Sequence, residues 1–235
     1  MKILAIDSSG LVASVAVLTE DTLLAEYTVN YKKTHSQTLL SMLDEIVRMI
    51  ELDLSDIDAI AVAKGPGSFT GLRIGSATAK GLGMALDKPL IGIPTVDALA
   101  YNVFGSSSIV CPLMDARRNQ VYTGLYEFKN NGFVVLEEQQ AVDVTSIVDK
   151  VNLCGKPVVY LGDGVDSYRS QLESLTKVPY SFAPSHMNKQ RAAALGALAV
   201  QYFKQGLTET ATEHIPEYLR LSQAEREREE AMKKA

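Results

Sequence analysis

The sequence predicts an α/β protein built from two lobes that repeat one order of elements. Short apolar runs alternate with longer segments of helical periodicity, which is typical of sheets covered by helices. One apolar run ends at Asp7, and another, over residues 109–114, runs into Asp115. A hairpin, a helix, a strand and a further helix follow each of these runs. This repetition indicates a duplicated α/β lobe.

The first half of the chain supplies one complete set of elements. These are a strand at 2–6, a hairpin of strands 13–18 and 23–29, a helix at 35–51, a strand at 57–62, a helix at 70–86, a strand at 90–93 and a helix at 96–104. Thr34 and Gln37 have the spacing of a capping box at the start of the first helix. The small, polar run over residues 105–108 marks a lobe boundary.

The second half repeats that order. Its elements are a strand at 109–114, a hairpin of strands 121–128 and 133–138, a helix at 143–151, a strand at 158–161 and helices at 165–175 and 190–204. Asn131-Gly132 is a strong turn signal within this hairpin. We therefore predict a first lobe over residues 1–105 and a second over 106–205, with residues 206–235 packing back on the first.

Composition excludes several classes of protein. The chain has 235 residues, 46% hydrophobic and 22% charged, which is the ordinary globular range. A net charge of −5 is unfavourable for binding nucleic acid through overall charge alone. Two cysteines are too few for a disulfide framework or a zinc cage. The first apolar run stops at Asp7, short of a signal-peptide core, and no run reaches the ~20 apolar residues of a membrane span, so we expect a cytoplasmic protein.

Two helices carry unusual surfaces. In the helix at 35–51, apolar residues that include Leu39, Leu43, Ile46 and Ile50 cover half of the helical wheel, more than contact with one sheet requires. Either this helix lies deep in its own core, or a partner covers part of it.

The helix at 70–86 places Gly71, Gly75, Ala79 and Gly83 on one face. Each internal glycine costs about 0.8–1.0 kcal/mol relative to alanine, so we expect another backbone to approach closely. Arg73, Ala77 and Lys80 lie elsewhere on the wheel and suit an exposed or partner-facing stripe.

A glycine-rich loop is the strongest local signal for a ligand. Gly65, Gly67 and Gly71 lie between an apolar strand and a helix, where unpaired N–H groups at the helix start favour an anion. The loop lacks the Gly-Lys-Ser/Thr of a Walker motif. The alternative is a structural turn from strand to helix that binds no ligand.

Other strand ends present carboxylates and glycines. Ligands of open α/β folds bind beyond the carboxyl ends of strands, so these residues are candidates for a nucleotide site with a metal between carboxylates. They are Asp7, Ser8 and Ser9, Asp115, and Gly162 and Gly164. Carboxylates at strand ends also cap loops, and that role stays open. The histidines, His35, His186 and His214, are far apart in sequence, so we assign no metal site and no catalytic residue.

Several motifs together resemble the bacterial TsaB (YeaZ) family, in order along nearly the whole chain. They are the opening residues 3–9, Thr34-His35-Ser36-Gln37, the run from Gly65 to Gly75, Met114-Asp115-Ala116-Arg117-Arg118, Gly162-Asp163-Gly164 and Pro216-Glu217-Tyr218-Leu219-Arg220. The run from Gly65 to Gly75 and the Asp-Ala-Arg-Arg motif are the specific ones.

The resemblance implies an actin-like, hsp70-type ATPase fold of the ribonuclease H-like class. It also implies a role in attaching threonylcarbamoyl to the adenosine beside the anticodon of tRNAs that read codons beginning with A. In that family the transferase is a paralogous partner, TsaD, whose metal site is a His-x-x-x-His motif. Position 39 here is Leu39, four residues after His35, which agrees with a non-catalytic subunit that requires no cofactor of its own.

The resemblance further implies partners. They are a TsaD-type transferase in a heterodimer, a TsaE-type ATPase and, through the complex, tRNA, with a homodimer when the chain is alone. The family's contacts involve the first two helices of each chain, so the predicted interface residues are Leu39, Leu43, Ile46, Ile50, Arg73, Ala77 and Lys80.

Two enzyme hypotheses compete with this scaffold. One is an ATP-dependent phosphotransferase that uses Asp7 and Asp115 around Mg-ATP or Mg-ADP. The other is a peptidase-like hydrolase, which requires a bound metal or a nucleophile.

Overall fold

Two five-stranded mixed sheets form the framework of the protein. The computed structural model describes residues 1–31, 35–130 and 132–220, and for residues 35–37 the backbone only. The first sheet has the order β3-β2-β1-β4-β5. Its strands are β1 (Lys2–Asp7), β2 (Ala13–Thr19), β3 (Leu23–Val29), β4 (Ala59–Gly65) and β5 (Leu90–Pro94). Strands β1 to β3 are antiparallel neighbours, whereas β4 and β5 run parallel to β1.

The second sheet repeats this arrangement. Its order is β8-β7-β6-β9-β10, with an antiparallel trio followed by two parallel strands. The strands are β6 (Ile109–Arg117), β7 (Gln120–Lys129), β8 (Gly132–Asp143), β9 (Val158–Leu161) and β10 (Tyr180–Phe182). Two lobes with one strand order confirm the predicted two-lobe actin-like, ribonuclease H-like α/β fold. Only β10, three largely exposed residues without alternation, was absent from the prediction.

Six α-helices of the described residues cover the sheets, close to the predicted positions. They are α1 (His35–Met49), α2 (Phe69–Leu86), α3 (Thr95–Tyr101), α4 (Val144–Cys154), α5 (Gly164–Leu175) and α6 (Ala192–Lys204). The predicted capping box involving Thr34 and Gln37, and residues 221–235, lie outside the residues that are described. None of the helices within the described ranges is long and apolar enough to cross a membrane.

The core consists of layers on both faces of each sheet. Helices α1 and α2 pack on one face of the first sheet, and α6 packs on the other. Helices α4 and α5 cover one face of the second sheet, and α3 covers the other. Helix α6 therefore packs against the first sheet, although the predicted boundaries assign residues 190–204 to the second lobe. The boundary at residues 105 and 106 remains a prediction.

The interface assigned to α1 needs correction. Leu39, Leu43 and Ile46 are buried against β1 and β2 within their own chain, and Ile50 packs at the border of the same cluster. The wide apolar half of α1 is needed because the helix contacts the sheet on one side and α2 on the other. The first of the two interpretations, a helix sunk in its own core, accounts for these residues.

The glycine face of α2 also points into the protein. A Cβ atom on Gly71 or Gly75 would lie closer than 3.0 Å to atoms of Ser8, and one on Gly83 would press on Leu90 and Lys88. The expected close approach of another backbone is confirmed, but that backbone belongs to the same chain.

Candidate functional site

The turn after β1 is buried and internally hydrogen-bonded. Asp7, Ser8 and Ser9 are 1%, 2% and 1% exposed. Oδ1 of Asp7 accepts hydrogen bonds from the backbone N–H of Ser9 at 2.9 Å and from its Oγ at 2.6 Å. The carboxylate of Asp7 therefore caps its own turn, which is the alternative role considered for strand-end carboxylates.

The glycine-rich loop lies directly on this turn. The Ser68 N–H donates to the Ser9 carbonyl at 2.7 Å, and Ser8 Oγ donates to the Gly71 carbonyl at 2.8 Å. A Cβ on Gly67 would lie closer than 3.0 Å to the Ser9 carbonyl oxygen, and one on Gly71 would meet that of Ser8. These glycines allow two segments of the chain to touch.

The C-terminal segment (residues 207–220) closes the loop from the other side. The Glu217 N–H donates to the Lys64 carbonyl at 2.7 Å. Gly65 has a φ of 126°, and a Cβ on it would overlap the Glu217 carbonyl oxygen. Nε2 of Gln139, from the second lobe, donates to the Gly65 carbonyl at 3.2 Å. The space around Gly65 is therefore filled by the protein.

This C-terminal segment connects the two sheets. Glu209 pairs with Leu90 at the start of β5, and the Tyr218 ring stacks on Phe69 with centroids 4.5 Å apart. Arg220 then donates to the carbonyl oxygen of Ala116 at the end of β6. The segment thus crosses from the first lobe to the second, along the edge where the predicted nucleotide site would lie.

The corresponding strand ends of the second lobe are also packed. Cβ atoms on Gly162 and Gly164 would both lie closer than 3.0 Å to the Leu113 carbonyl oxygen. Asp115 is exposed, and its Oδ1 accepts from the Arg117 N–H at 2.7 Å. Oδ1 of Asp163 accepts from the Asp115 N–H at 3.1 Å, and burial raises the pKa of Asp163.

The actin-like fold suggests a bound nucleotide, whose phosphates would have to fit against the glycine-rich loop. A phosphate needs open space beside Gly65, Gly67 and Gly71 and free N–H donors at the start of α2. The space is taken by Ser8, Ser9 and Glu217, and the Gly71 N–H faces Ser68 Oγ at 3.3 Å. The glycine-rich loop in this arrangement does not fit a bound phosphate, and we derive no step through ATP.

Metal-ligand groups give no alternative centre. Within the described parts of the chain, no three His, Cys, Asp or Glu side chains are placed to hold a metal ion. His214 is buried, and its Nδ1 lies 2.7 Å from Oε1 of Glu209, whose Oε2 is 3.8 Å from Lys64 Nζ. This cluster holds the C-terminal segment against the first lobe.

Asp97 is a buried acid that sequence reasoning missed. Asp97 is 5% exposed and accepts a hydrogen bond from the Tyr126 hydroxyl at 2.7 Å. Burial is the main cause that raises the pKa of Asp97 to about 6, and the nearby charges of Glu138 and Glu217 add to it. Asp97 lies within a predicted helix without a motif, so no local signal distinguished it.

The outward face of α1 and α2 differs from the predicted interface. Arg73 and Ala77 are exposed as predicted, whereas Lys80 is half-buried and donates to the His214 carbonyl at 3.0 Å. The large exposed apolar side chains of these two helices are ones that the prediction omitted. Leu40 (58% exposed) on α1 and Met84 (72%) on α2 are two of them, and Met49 (66%) lies on the opposite side of α1, beside β3.

Comparison with known proteins identifies the family. The family described as "TsaD: tRNA N6-adenosine threonylcarbamoyltransferase" matches residues 22–228. The chain is 34% identical over 227 residues to tRNA threonylcarbamoyladenosine biosynthesis protein TsaB of Bacillus subtilis, covering 96% of each protein. It is 36% identical over 150 residues to TsaB of Escherichia coli, covering 63% of this chain and 64% of that one.

A solved structure agrees with the sequence matches. YeaZ from Pseudomonas aeruginosa superposes with a TM-score of 0.78 at 26% identity, covering 93% of this chain and 100% of that one. Its match extends over both lobes. The chain therefore belongs to the TsaB (YeaZ) family of tRNA threonylcarbamoyladenosine biosynthesis proteins.

Proposed function

We propose that this chain is the non-catalytic subunit that pairs with a TsaD-type transferase and activates it for threonylcarbamoyl transfer to tRNA adenosine. A TsaE-type ATPase joins the pair, and tRNA binds to the assembled complex. The names of the TsaB relatives support the pathway. The exposed face of α1 and α2 supports the pairing.

That face has more apolar surface than an isolated chain needs. Leu40 on α1 and Met84 on α2 are each more than half exposed, on two helices that pack side by side. Large apolar side chains exposed on neighbouring helices favour a surface that binds another protein. The two helices are the elements that the family resemblance associates with pairing.

Gly81 strengthens this argument. It lies in the interior of α2, where glycine costs about 1 kcal/mol relative to alanine, and it is exposed with no atom within 4 Å of a Cβ placed on it. Unlike Gly71 and Gly75, it has no contact with the described residues of its own chain that requires glycine. Close approach of a partner helix, between Ala77 and Met84, explains it.

The internal packing of the strand ends supports a non-catalytic role. Asp7, the first candidate for phosphotransfer chemistry, caps its own turn, and the glycine-rich loop is closed by the C-terminal segment. A related structure is described by its similarity to a peptidase. Here, however, the candidate nucleophiles Ser8 and Ser9 are buried and donate to Gly71 and Asp7.

Reconstitution tests the proposal. A TsaD-type transferase, a TsaE-type ATPase, a threonylcarbamoyl donor and a tRNA transcript would be incubated with and without this chain. We expect modified tRNA only when the chain is present, and a large loss with Leu40→Glu. Leu153→Glu on α4, a leucine 86% exposed in the second lobe, is the matched control and should support full activity. Equal modification without the chain would disprove the proposal.

The same face should pair with itself when no transferase is present. We expect a concentration-dependent dimer of the isolated chain in analytical ultracentrifugation and a monomer for Leu40→Glu, because an unpaired carboxylate in a closed interface costs several kcal/mol. A dimer that persists in the variant would assign self-pairing to another surface.

A further inference from the structure

The seven arginines within the described residues fall into two groups. Arg48, Arg169 and Arg191 each form an ion pair with a glutamate. The other four form no ion pair with any described carboxylate, in a chain whose net charge is −5. They are Arg73, Arg117, Arg118 and Arg220, which we name the arginine row.

These four arginines lie along one continuous path across the two lobes. Nε of Arg73 on α2 lies 3.4 Å from the hydroxyl of Tyr218, two residues before Arg220 in the C-terminal segment. Arg220 reaches the carbonyl oxygens of Ala116 and Arg117 at the β6–β7 turn. The arginine row thus extends from the first lobe to the second. Guanidinium groups on separate elements of both lobes suit a chain of phosphates better than a single anion.

The turn that carries two of the arginines has a costly backbone. Arg117 pairs with Gln120, so Arg118 and Asn119 form a two-residue hairpin turn. Arg117, Arg118 and Asn119 have φ values of 61°, 57° and 59°. Such turns favour Asn, Asp or Gly, and an ordinary residue in this conformation costs about 1–2 kcal/mol. Two arginines therefore occupy positions that glycine or asparagine would fill more easily.

Neighbouring groups hold this turn in place and leave its guanidinium groups exposed. Oδ1 of Asp115 accepts from the backbone N–H of Arg117, and Arg220 binds the carbonyl oxygens on the other side. Arg117 and Arg118 are both exposed. Backbone strain kept by surrounding contacts at a surface turn is a feature of binding sites. Exposed guanidinium groups bind phosphate oxygens through two parallel hydrogen bonds.

We propose that the arginine row binds the phosphate backbone of tRNA in the assembled complex, with Arg73, which contacts Tyr218, at the border between this surface and the α2 face that meets the transferase. This inference rests on the proposed function, which supplies the RNA. Arginines that share one path and have no partner among the described carboxylates form a local basic patch, although the chain as a whole is acidic. Such a patch is the electrostatic footprint of a surface for RNA rather than of a site for one small anion. Arg117 and Arg118, with no partner among the described side chains, contribute most.

The test measures binding of a fluorescent tRNA transcript to the complex of this chain with its transferase, over 50–300 mM salt. The Arg117→Gln/Arg118→Gln variant should bind about tenfold more weakly at 100 mM salt. The slope of log K against log salt should fall by about 1–2, since each lost phosphate contact removes about 0.7–0.9. Arg169→Gln, an exposed arginine on α5, is the control for charge and should change neither quantity.

Assembly is measured on the same samples by size-exclusion chromatography. A double variant that assembles normally and binds tRNA with unchanged affinity and slope would overturn this inference while leaving the proposed function intact. If the double variant instead loses the transferase or the ATPase, the row contacts an acidic protein and the RNA inference is wrong. An effect on ATP binding with tRNA binding intact would also overturn it. Failure of the wild-type chain to assemble would count against the proposed function itself.

Discussion

The backbone N–H of Glu217 donates a hydrogen bond to the carbonyl oxygen of Lys64 at 2.7 Å, so the C-terminal segment lies directly on the end of β4. In the same place, the glycine-rich loop turns from β4 into α2 against Ser8 and Ser9. The strand ends that could have formed a ligand cleft are thus occupied by the chain. The junction between the lobes is packed by the chain's own residues as a result.

Alanine at Gly71 should disturb this junction. The added Cβ would overlap the Ser8 carbonyl oxygen, and backbone must move to relieve the overlap. We expect a loss of about 1–3 kcal/mol in the free energy of unfolding, measured in urea. Gly81→Ala in the same helix is the matched control, and it should stabilise the isolated chain by up to about 1 kcal/mol. Similar effects of the two substitutions would contradict the proposed packing.

Substitution of two leucines three residues apart on α1 should have very different effects on stability. Leu43 is buried in the core cluster, so Leu43→Ala should cost about 2–5 kcal/mol of unfolding free energy. Leu40 is 58% exposed, so Leu40→Ala should change stability by no more than about 0.5 kcal/mol. Chemical denaturation of both variants checks this, and a large loss in the Leu40 variant would place that residue in the core.

Stability should depend on pH through Asp97. Its pKa is raised from 3.8 to about 6 in the folded protein, mainly by burial. As the pH falls from 6 to 4, Asp97 therefore takes up a proton in the folded state but not in the unfolded state. This proton uptake raises the free energy of unfolding over that range.

Asp97→Asn removes this effect and keeps an acceptor for the Tyr126 hydroxyl. The free energy of unfolding of the variant minus that of the wild type should be about 2 kcal/mol larger at pH 7.5 than at pH 4.5. The exposed Asp149→Asn serves as control. If the difference between Asp97→Asn and the wild type were the same at both pH values, Asp97 would have an ordinary pKa in the folded state.

The two cysteines should differ in reactivity. Burial raises the pKa of Cys111 to about 12, and its side chain is fully enclosed, whereas Cys154 is exposed at the end of α4. Iodoacetamide at pH 8 should alkylate one thiol in the native protein and both in urea. Peptide mapping should assign the native label to Cys154, and a native label on Cys111 would show that the second lobe opens.

Much of the fold was predictable because the apolar periodicity of each element is local. The strand β9 and the hairpin of β2 and β3 were predicted nearly to the residue, and the Asp-ended strands revealed the duplication. Contacts between distant segments were not predictable. Glu217 and Gly65 are far apart in sequence, and no local pattern shows that one packs against the other.

The candidate site shows the same limit. The periodicity of α1 identified its apolar half correctly but could not show which part of that half a partner would cover. Leu39 lies near the middle of the half and Leu40 at its border, and the structure encloses the middle within the chain. The glycines of α2 were recognised as close-approach positions. The sequence could not show whether the approaching backbone belongs to this chain or to another one. Only the structure places the turn at Ser8 beside these glycines.

The affinity of this chain for a TsaD-type transferase, with and without Met84→Glu, tests the central claim most directly. Met84 is 72% exposed, so the variant should fold with the stability of the wild type. Burying its carboxylate in the interface should weaken the complex at least about 30-fold in sedimentation equilibrium, while Leu153→Glu binds normally. Unchanged affinity of the Met84→Glu chain would show that the α1 and α2 face does not hold the transferase.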